Sequence, residues 1–69
     1  MKLGEMIQEN APSDIRVKIS GLKQMDDFGN RVWTESLTDA QKLAYWDKDI
    51  LKHILVAEEK TLYCILVED

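Results

Sequence analysis

The chain has 69 residues, thirteen acidic and nine basic, which give a formal net charge of −4 and predict one small acidic domain over residues 1–69. A domain near this size buries only about 60% of the surface that its unfolded chain exposes, which leaves little stability for shaping a catalytic cleft and argues against an enzyme. The acidic balance and the scattered lysines argue against direct binding of nucleic acid, whose phosphates need a concentrated basic patch.

The N-terminal segment predicts a short helix followed by a strand. Apolar residues at helical spacing predict a helix of about two turns over residues 2–9. A helix this short is not stable alone, so it is expected to dock its apolar stripe on a sheet. From residue 15 the apolar period becomes two, which predicts a strand with one covered face. The helical stripe consists of Leu3, Met6 and Ile7, and the strand's apolar face consists of Ile15, Val17 and Ile19.

A long acidic loop and a second strand are expected next. The pair Gly29 and Asn30 marks a turn, because both residue types tolerate positive φ. Residues 31–35 then alternate and predict a strand that forms a hairpin with the first one. On this strand Trp33 is expected to share a face with Arg31 and Glu35.

A capping box predicts where a second helix begins. Thr38 is expected to cap the helix while Gln41 reaches back to the backbone amide of the cap. The helix is expected to end near Asp47. Its inward face would consist of Leu37, Ala40, Leu43 and Ala44.

The C-terminal third allows two interpretations. Apolar residues continue at helical spacing, so one interpretation is a single helix from residue 38 to residue 58. The favoured interpretation is a hairpin of two strands, residues 50–57 and 62–68, because both segments are rich in β-branched and aliphatic residues. The predicted fold class is then α+β in the order α-β-β-α-β-β: a two-layer fold whose four-stranded antiparallel sheet carries two short helices on one face.

The layout is similar to that of small acidic accessory proteins encoded by phages and prophages of Gram-positive bacteria. The resemblance lies in the start Met1-Lys2-Leu3-Gly4-Glu5-Met6-Ile7, the strand Asp14-Ile15-Arg16-Val17-Lys18-Ile19, and the closing segments Asp49-Ile50-Leu51-Lys52 and Leu62-Tyr63-Cys64-Ile65-Leu66-Val67-Glu68. It implies an accessory role in the bacterial host cell, such as inhibition or modulation of a host or defence protein, with anti-CRISPR-like activity as one example. It implies no catalytic residues.

Residues that carry chemistry are few. The single cysteine, Cys64, allows no internal disulfide and lies in an apolar run, so we expect a buried structural thiol. His53 and Cys64 could meet across the final hairpin, but two ligands are too few for a closed zinc site. The glycines are too far apart for a phosphate-binding loop. We therefore expect no catalytic residue, no metal and no cofactor.

The apolar runs are too short for a membrane-spanning helix, which needs ~20 residues, and polar residues interrupt the N-terminal segment where a signal peptide would have its apolar centre. A soluble, cytoplasmic protein without a membrane partner is the expectation.

Aromatic side chains are the best indication of a binding site, because tryptophan and tyrosine often dominate binding energy at protein interfaces. Exposed aromatics in an acidic frame predict a docking site for a protein partner with a basic surface. The expected partner-binding residues are Trp33, Arg31, Glu35, Asp26, Asp27, Phe28, Tyr45 and Trp46. Two alternatives stay open: a protein that sequesters a small ligand such as a nucleotide, and a homo-oligomeric structural protein, for instance a homodimer that covers a C-terminal edge strand.

Overall fold

The computed structural model describes residues 1–10 and 14–68. The elements are α1 (Leu3–Asn10), β1 (Arg16–Ser20), α2 (Asp39–Ala44), β2 (Ile50–Val56) and β3 (Thr61–Leu66). A 3-10 turn, Ala57–Glu59, connects β2 to β3. The three strands form one mixed sheet in the order β1-β3-β2, in which β3 runs parallel to β1 and antiparallel to β2. Because the sheet is mixed and α1 covers one of its faces, the fold belongs to the α+β class.

The core lies on one face of the sheet, beneath α1. The alternation in β1 has the predicted effect, since Val17 and Ile19 are buried and Arg16 is exposed. From α1, Leu3 and Met6 reach the same core, which confirms that this helix covers the sheet. Burial of these side chains is the main stabilising contribution that a short helix can receive. The core consists of Leu3, Met6, Val17, Ile19, Leu37, Ile50, Leu62, Cys64 and Leu66.

The prediction of a four-stranded antiparallel sheet is wrong, because residues 31–35 do not form a strand. This segment still approaches β1: Thr34 donates its N–H to the carbonyl of Ile19 at 3.0 Å, and Leu37 donates to the carbonyl of Val17 at 2.8 Å. The two donors are three positions apart while the two acceptors are two apart, so the regular two-residue repeat of a ladder is lost. The hydroxyl of Thr34 also replaces a backbone acceptor, since it receives the N–H of Ile19 at 3.2 Å.

The most apolar strand, β3, occupies the centre of the sheet rather than an edge. Its backbone is paired with β1 on one side and β2 on the other. A central strand is covered on both edges, and this position suits the residues with the greatest apolar content. The expectation of an exposed C-terminal edge strand is therefore wrong, and the edges of the sheet belong to β1 and β2.

The C-terminal hairpin is confirmed over residues 50–66. The pairing of β2 with β3 excludes the alternative of one long second helix. Lys60 turns the chain with a left-handed backbone, φ 50°. Leu62, Cys64 and Leu66 share the buried face, which confirms the expectation of a buried thiol.

The second helix begins as predicted but does not pack as predicted. Thr38 accepts the N–H of Gln41, and the Gln41 side chain accepts the N–H of Thr38, which completes the capping box. None of the residues of α2 is buried, and the side chain of Leu43 is 70% exposed. Of the predicted inward face, Leu37, which precedes the helix, reaches the core, while Ala40, Leu43 and Ala44 do not. The prediction of a second helix packed on the sheet is therefore wrong.

Candidate functional site

The face of the sheet opposite α1 carries three cross-strand rows of side chains. Residues paired across neighbouring strands point to the same face, so the register assigns each row. Since Leu62 and Cys64 point toward α1, the odd-numbered residues of β3 point away from it. We call this surface the open face. The first row contains Arg16, Thr61 and Val56, and the second contains Lys18, Tyr63 and Ile54. The third row contains Ser20, Ile65 and Lys52.

Trp33 reaches over this face although its own segment is not a strand. Its ring meets the ring of Tyr63 edge to face, with centroids 4.9 Å apart and an interplanar angle of 69°. This is a favoured geometry for aromatic pairs. Beside the pair lies a groove of about 280 Å³, which we call the aromatic groove. Its lining residues are Trp33, Lys52, His53, Ile54, Val56, Tyr63 and Ile65.

A hydrogen bond fixes the position of Tyr63 at this groove. Its hydroxyl donates to Oε1 of Glu59 at 2.5 Å. This hydrogen bond, followed by desolvation and by the charge of the carboxylate, raises the pKa of Tyr63 above its ordinary value. The hydrogen bond to Glu59 thus orients the phenol ring that forms one wall of the groove.

The charges around the aromatic groove are mainly positive, although the whole chain is acidic. Lys18 lies directly across from Tyr63, and Arg16 occupies the next row. Lys52 lines the groove itself. The nearby carboxylate of Glu59 accepts the hydrogen bond of Tyr63. Of these three cations only Lys52 lines the groove, while Arg16 and Lys18 lie on β1 at the same face of the sheet. This surface suits an apolar group that carries a carboxylate beside it.

The acidic loop is held in one conformation by hydrogen bonds. The carboxylate of Asp26 accepts the N–H groups of Phe28 and Asn30, each at 2.9 Å. Gly29 supplies the predicted turn with φ 81°. At the tip of this loop the side chain of Phe28 is 89% exposed. The loop thus presents one large apolar side chain to solvent, with the exposed Asp27 beside it.

Arg31 has a structural contact at the base of the loop. Its Nη1 donates to the carbonyls of Gly21 at 2.7 Å and Leu22 at 3.2 Å, and to the hydroxyl of Ser20 at 3.4 Å. These contacts connect the end of β1 with the end of the loop. Glu35, which was expected beside it, is exposed.

Tyr45 and Trp46 lie away from the aromatic groove. Tyr45 packs partly against the core and lines a wide, open cleft of about 880 Å³ together with Asp47 and Asp49. Trp46 rests against the backbone of Gly4, where an added Cβ would lie 2.2 Å from its Nε1. The predicted partner-binding residues therefore do not form one site: Trp33 lies at the aromatic groove, Arg31 at the base of the loop and Phe28 at its tip, whereas Tyr45 lines the cleft and Trp46 contacts α1.

Most of the groove was not recognisable in the sequence as a site. Tyr63, Ile54 and Ile65 form its walls together with Trp33, yet each belongs to an ordinary alternating strand pattern. The sequence does contain one signal for the groove: β3 has apolar residues on both faces, although only the face toward α1 contributes to the core. Only the pairing partners of β3 show that this second face meets Trp33.

Cys64 and His53 are cross-strand partners, as the hairpin allowed. Cys64 is fully buried, and burial raises the pKa of its thiol to about 11. A reactive cysteine needs a lowered pKa and access to solvent, and the thiol of Cys64 meets neither condition. Within residues 1–10 and 14–68, no cluster of three or more potential metal ligands occurs.

The fold and groove define a small α+β domain with an aromatic surface site. No family model, curated protein or solved structure matches the chain. In the part of the chain that the structure describes, no helix is long and apolar enough to cross a membrane.

Proposed function

We propose that this protein is a non-catalytic protein-binding module and that its docking site is the aromatic groove. The observation that carries the proposal is the packed pair of Trp33 and Tyr63 beside an apolar groove on the open face. Tryptophan and tyrosine are enriched among residues that dominate binding energy, because they bury a large area and lose little conformational freedom. Their mutual contact and the hydrogen bond to Glu59 organise this site before a partner arrives.

The size of the aromatic groove favours the side chain of a protein over a free small molecule. Its volume of about 280 Å³ falls at the lower limit of small-molecule sites, which span roughly 300–1,000 Å³. A nucleotide would also need several hydrogen-bond donors that converge on its phosphate groups. Here the basic residues Arg16, Lys18 and Lys52 are spread over three rows of the sheet. The groove therefore supports a protein that sequesters a small ligand less well than it supports a protein-binding module.

The charges specify the partner further. With Lys18, Arg16 and Lys52 on the open face, the best match is an extended protein segment with one large apolar residue and neighbouring carboxylates. The sequence predicted a basic partner from the net charge alone. The local charge at the groove supports an acidic segment, because complementarity acts between contacting surfaces.

The proposed biological role rests on the resemblance to small phage accessory proteins. We propose that the module modulates or inhibits a host or defence protein in the bacterial cytoplasm by occupying an acidic, apolar docking segment on it. Binding without chemistry suits inhibition, since an inhibitor needs affinity and a blocking position only.

Affinity capture from bacterial lysate with three tagged variants tests this proposal. We expect wild-type protein and Phe28→Ala to capture the same partner, and Trp33→Ala to lose it. Removing a central aromatic anchor costs roughly 2 kcal/mol or more, about 30-fold in affinity. Phe28→Ala is the matched control, because it removes an exposed aromatic ring from the loop instead of the groove.

Circular dichroism of each variant distinguishes loss of binding from loss of fold. Retention of the partner by folded Trp33→Ala, together with its loss in Phe28→Ala, would assign the site to the loop tip and refute the groove. Capture of single-stranded oligonucleotide instead of protein would refute the protein-binding function.

A further inference from the structure

The two edges of the sheet differ in how their backbone groups are satisfied. On the outer edge of β1, the carbonyls of Val17 and Ile19 accept N–H groups from residues 37 and 34, and the N–H of Ile19 reaches the hydroxyl of Thr34. On the outer edge of β2, a backbone hydrogen bond to another segment is made at the first residue, where Ile50 donates its N–H to the carbonyl of Met1 at 2.8 Å. The middle of β2 has no such cover among the described residues. An uncovered strand edge is a template for pairing with another strand.

The register shows which backbone groups of β2 face outward. Arg16 donates its N–H to the carbonyl of Lys60 at 2.9 Å, so the even-numbered residues of β3 bond to β1 and the odd-numbered residues bond to β2. The odd-numbered residues pair with Lys52, Ile54 and Val56. The N–H and C=O groups of His53 and Leu55 therefore point away from the sheet.

This edge has few of the features that usually prevent strands from pairing, and those it has lie in the first three residues of β2. Proteins protect edges with charges, prolines, bulges or very short strands. In β2 the sole charged residue is Lys52, and the bulge is confined to the segment between Ile50 and Lys52. Apolar side chains remain exposed along it: Leu51 is 60% exposed, Ile54 55% and Leu55 45%.

We propose that β2 pairs with β2 of a second copy of the chain, antiparallel, across a two-fold axis at Ile54. Ile54 then faces the partner's Ile54 on the open face. His53 lies opposite the partner's Leu55, and the outward groups of these residues form about four backbone hydrogen bonds. Lys52 lies opposite the partner's Val56. Two three-stranded sheets become one sheet of six strands.

The charges and the register of β2 favour a second copy as the occupant. Two chains of net charge −4 repel each other in general, but β2 itself contains no acidic residue, so the paired strands place no carboxylates of their own opposite each other. In the proposed register Lys52 faces an apolar residue instead of another lysine. The register centred on His53 would place both histidines opposite each other and would include the bulged part of the strand. The paired segment is short, so the expected dimer is weak, with a Kd on the order of micromolar.

The proposed dimer does not depend on the aromatic groove being a docking site. It would place the two grooves on one continuous face, one on each side of the two-fold axis. The test therefore measures association of the pure protein and needs no partner.

Disulfide trapping tests the pairing and its register together. In a Cys64→Ala background, Ile54→Cys would place two sulfur-bearing residues opposite each other with Cα atoms ~4.5 Å apart, within the range that a disulfide spans. His53→Cys is the matched control, since two residues along the strands (~6.8 Å) and one strand spacing (~4.8 Å) would separate the Cα atoms of the two copies of residue 53 by about 8 Å, beyond the ~7 Å limit. We expect a reducible covalent dimer from Ile54→Cys and little from His53→Cys. A dimer from His53→Cys instead would overturn the register, and trapping of neither would overturn edge pairing.

Sedimentation equilibrium of proteins without added cysteines gives an independent measurement. Wild-type protein is expected to associate reversibly over the micromolar range. Ile54→Lys would place two cations opposite each other and is expected to weaken association by tenfold or more. Leu43→Lys makes the same kind of change on exposed α2 and is expected to leave association unchanged. A wild-type protein that stays monomeric at several hundred micromolar would overturn the proposal.

Discussion

The contact between Gly4 and Trp46 gives a prediction whose size follows from the structure. A Cβ added at Gly4 would lie 2.2 Å from Nε1 and 2.3 Å from Cε2 of Trp46, whereas ordinary contacts begin near 3.4 Å. The obstructing atoms belong to a rigid ring system, so the whole indole must move by about 1 Å. The backbone N–H of Gly4 also donates to the carbonyl of Trp46 at 2.9 Å, which keeps the two segments close. Gly4→Ala should therefore destabilise the protein.

The expected magnitude combines two opposing effects. Overpacking of this kind costs typically 1–3 kcal/mol. Replacing glycine by alanine in a helix favours folding by up to about 1 kcal/mol, and by less in the first turn. The net loss should be roughly 1–2 kcal/mol, which corresponds to a fall in Tm of about 4–8 °C for each kcal/mol in a domain of this size.

Urea unfolding followed by circular dichroism in a double-mutant cycle measures this coupling. In a Trp46→Ala background the obstructing ring is absent, so Gly4→Ala should be neutral or slightly stabilising. The coupling between the two sites should then be at least about 1 kcal/mol. Gln8→Ala, at an exposed position of α1, controls for the general effect of alanine on the helix. An equal cost of Gly4→Ala in both backgrounds would refute the proposed contact.

Two further predictions concern the capping box and the buried thiol. Thr38→Ala should remove about 1 kcal/mol from helix α2, and because none of its residues is buried, the change should appear as roughly fivefold faster amide exchange within α2 with little effect on global unfolding. Cys64 should resist thiol reagents until urea unfolds the chain. Because its folded pKa is raised from 9.0 to about 11, the unfolded state loses this proton first, and stability should fall by up to roughly 2 kcal/mol as the pH rises from 9 to 11. Cys64→Ala should lack that part of the alkaline loss; an identical pH profile would contradict the buried thiol.

The local elements of the fold were predictable because their signals lie within short segments. The stripe that includes Leu3 and Met6 specifies α1, and Thr38 with Gln41 specifies the start of α2. The alternation in residues 62–66 separates the buried face of β3 from its open face. Periodicity and capping act over a few residues, so they can be read without knowledge of the rest of the chain.

The same local signals failed where a segment had two possible positions. Residues 31–35 alternate like a strand, yet the hydroxyl of Thr34 takes the place of a ladder acceptor and the segment remains irregular beside β1. Leu43 matches the stripe of a packed helix, yet it is 70% exposed because α2 does not lie on the sheet. An apolar pattern indicates that a face can be buried, and the available neighbours determine whether it is.

The sequence by itself determined the class of the domain, the positions of α1, β1 and the C-terminal hairpin, and the burial of Cys64. The tertiary structure alone decided that β3 lies between β1 and β2, that Tyr63 meets Trp33 on the open face, and that the uncovered edge belongs to β2. The physical reason is that strand order depends on pairings between distant segments, whose competing free energies differ little and are not encoded in the period of any one segment. Both proposed interaction surfaces arise from that order.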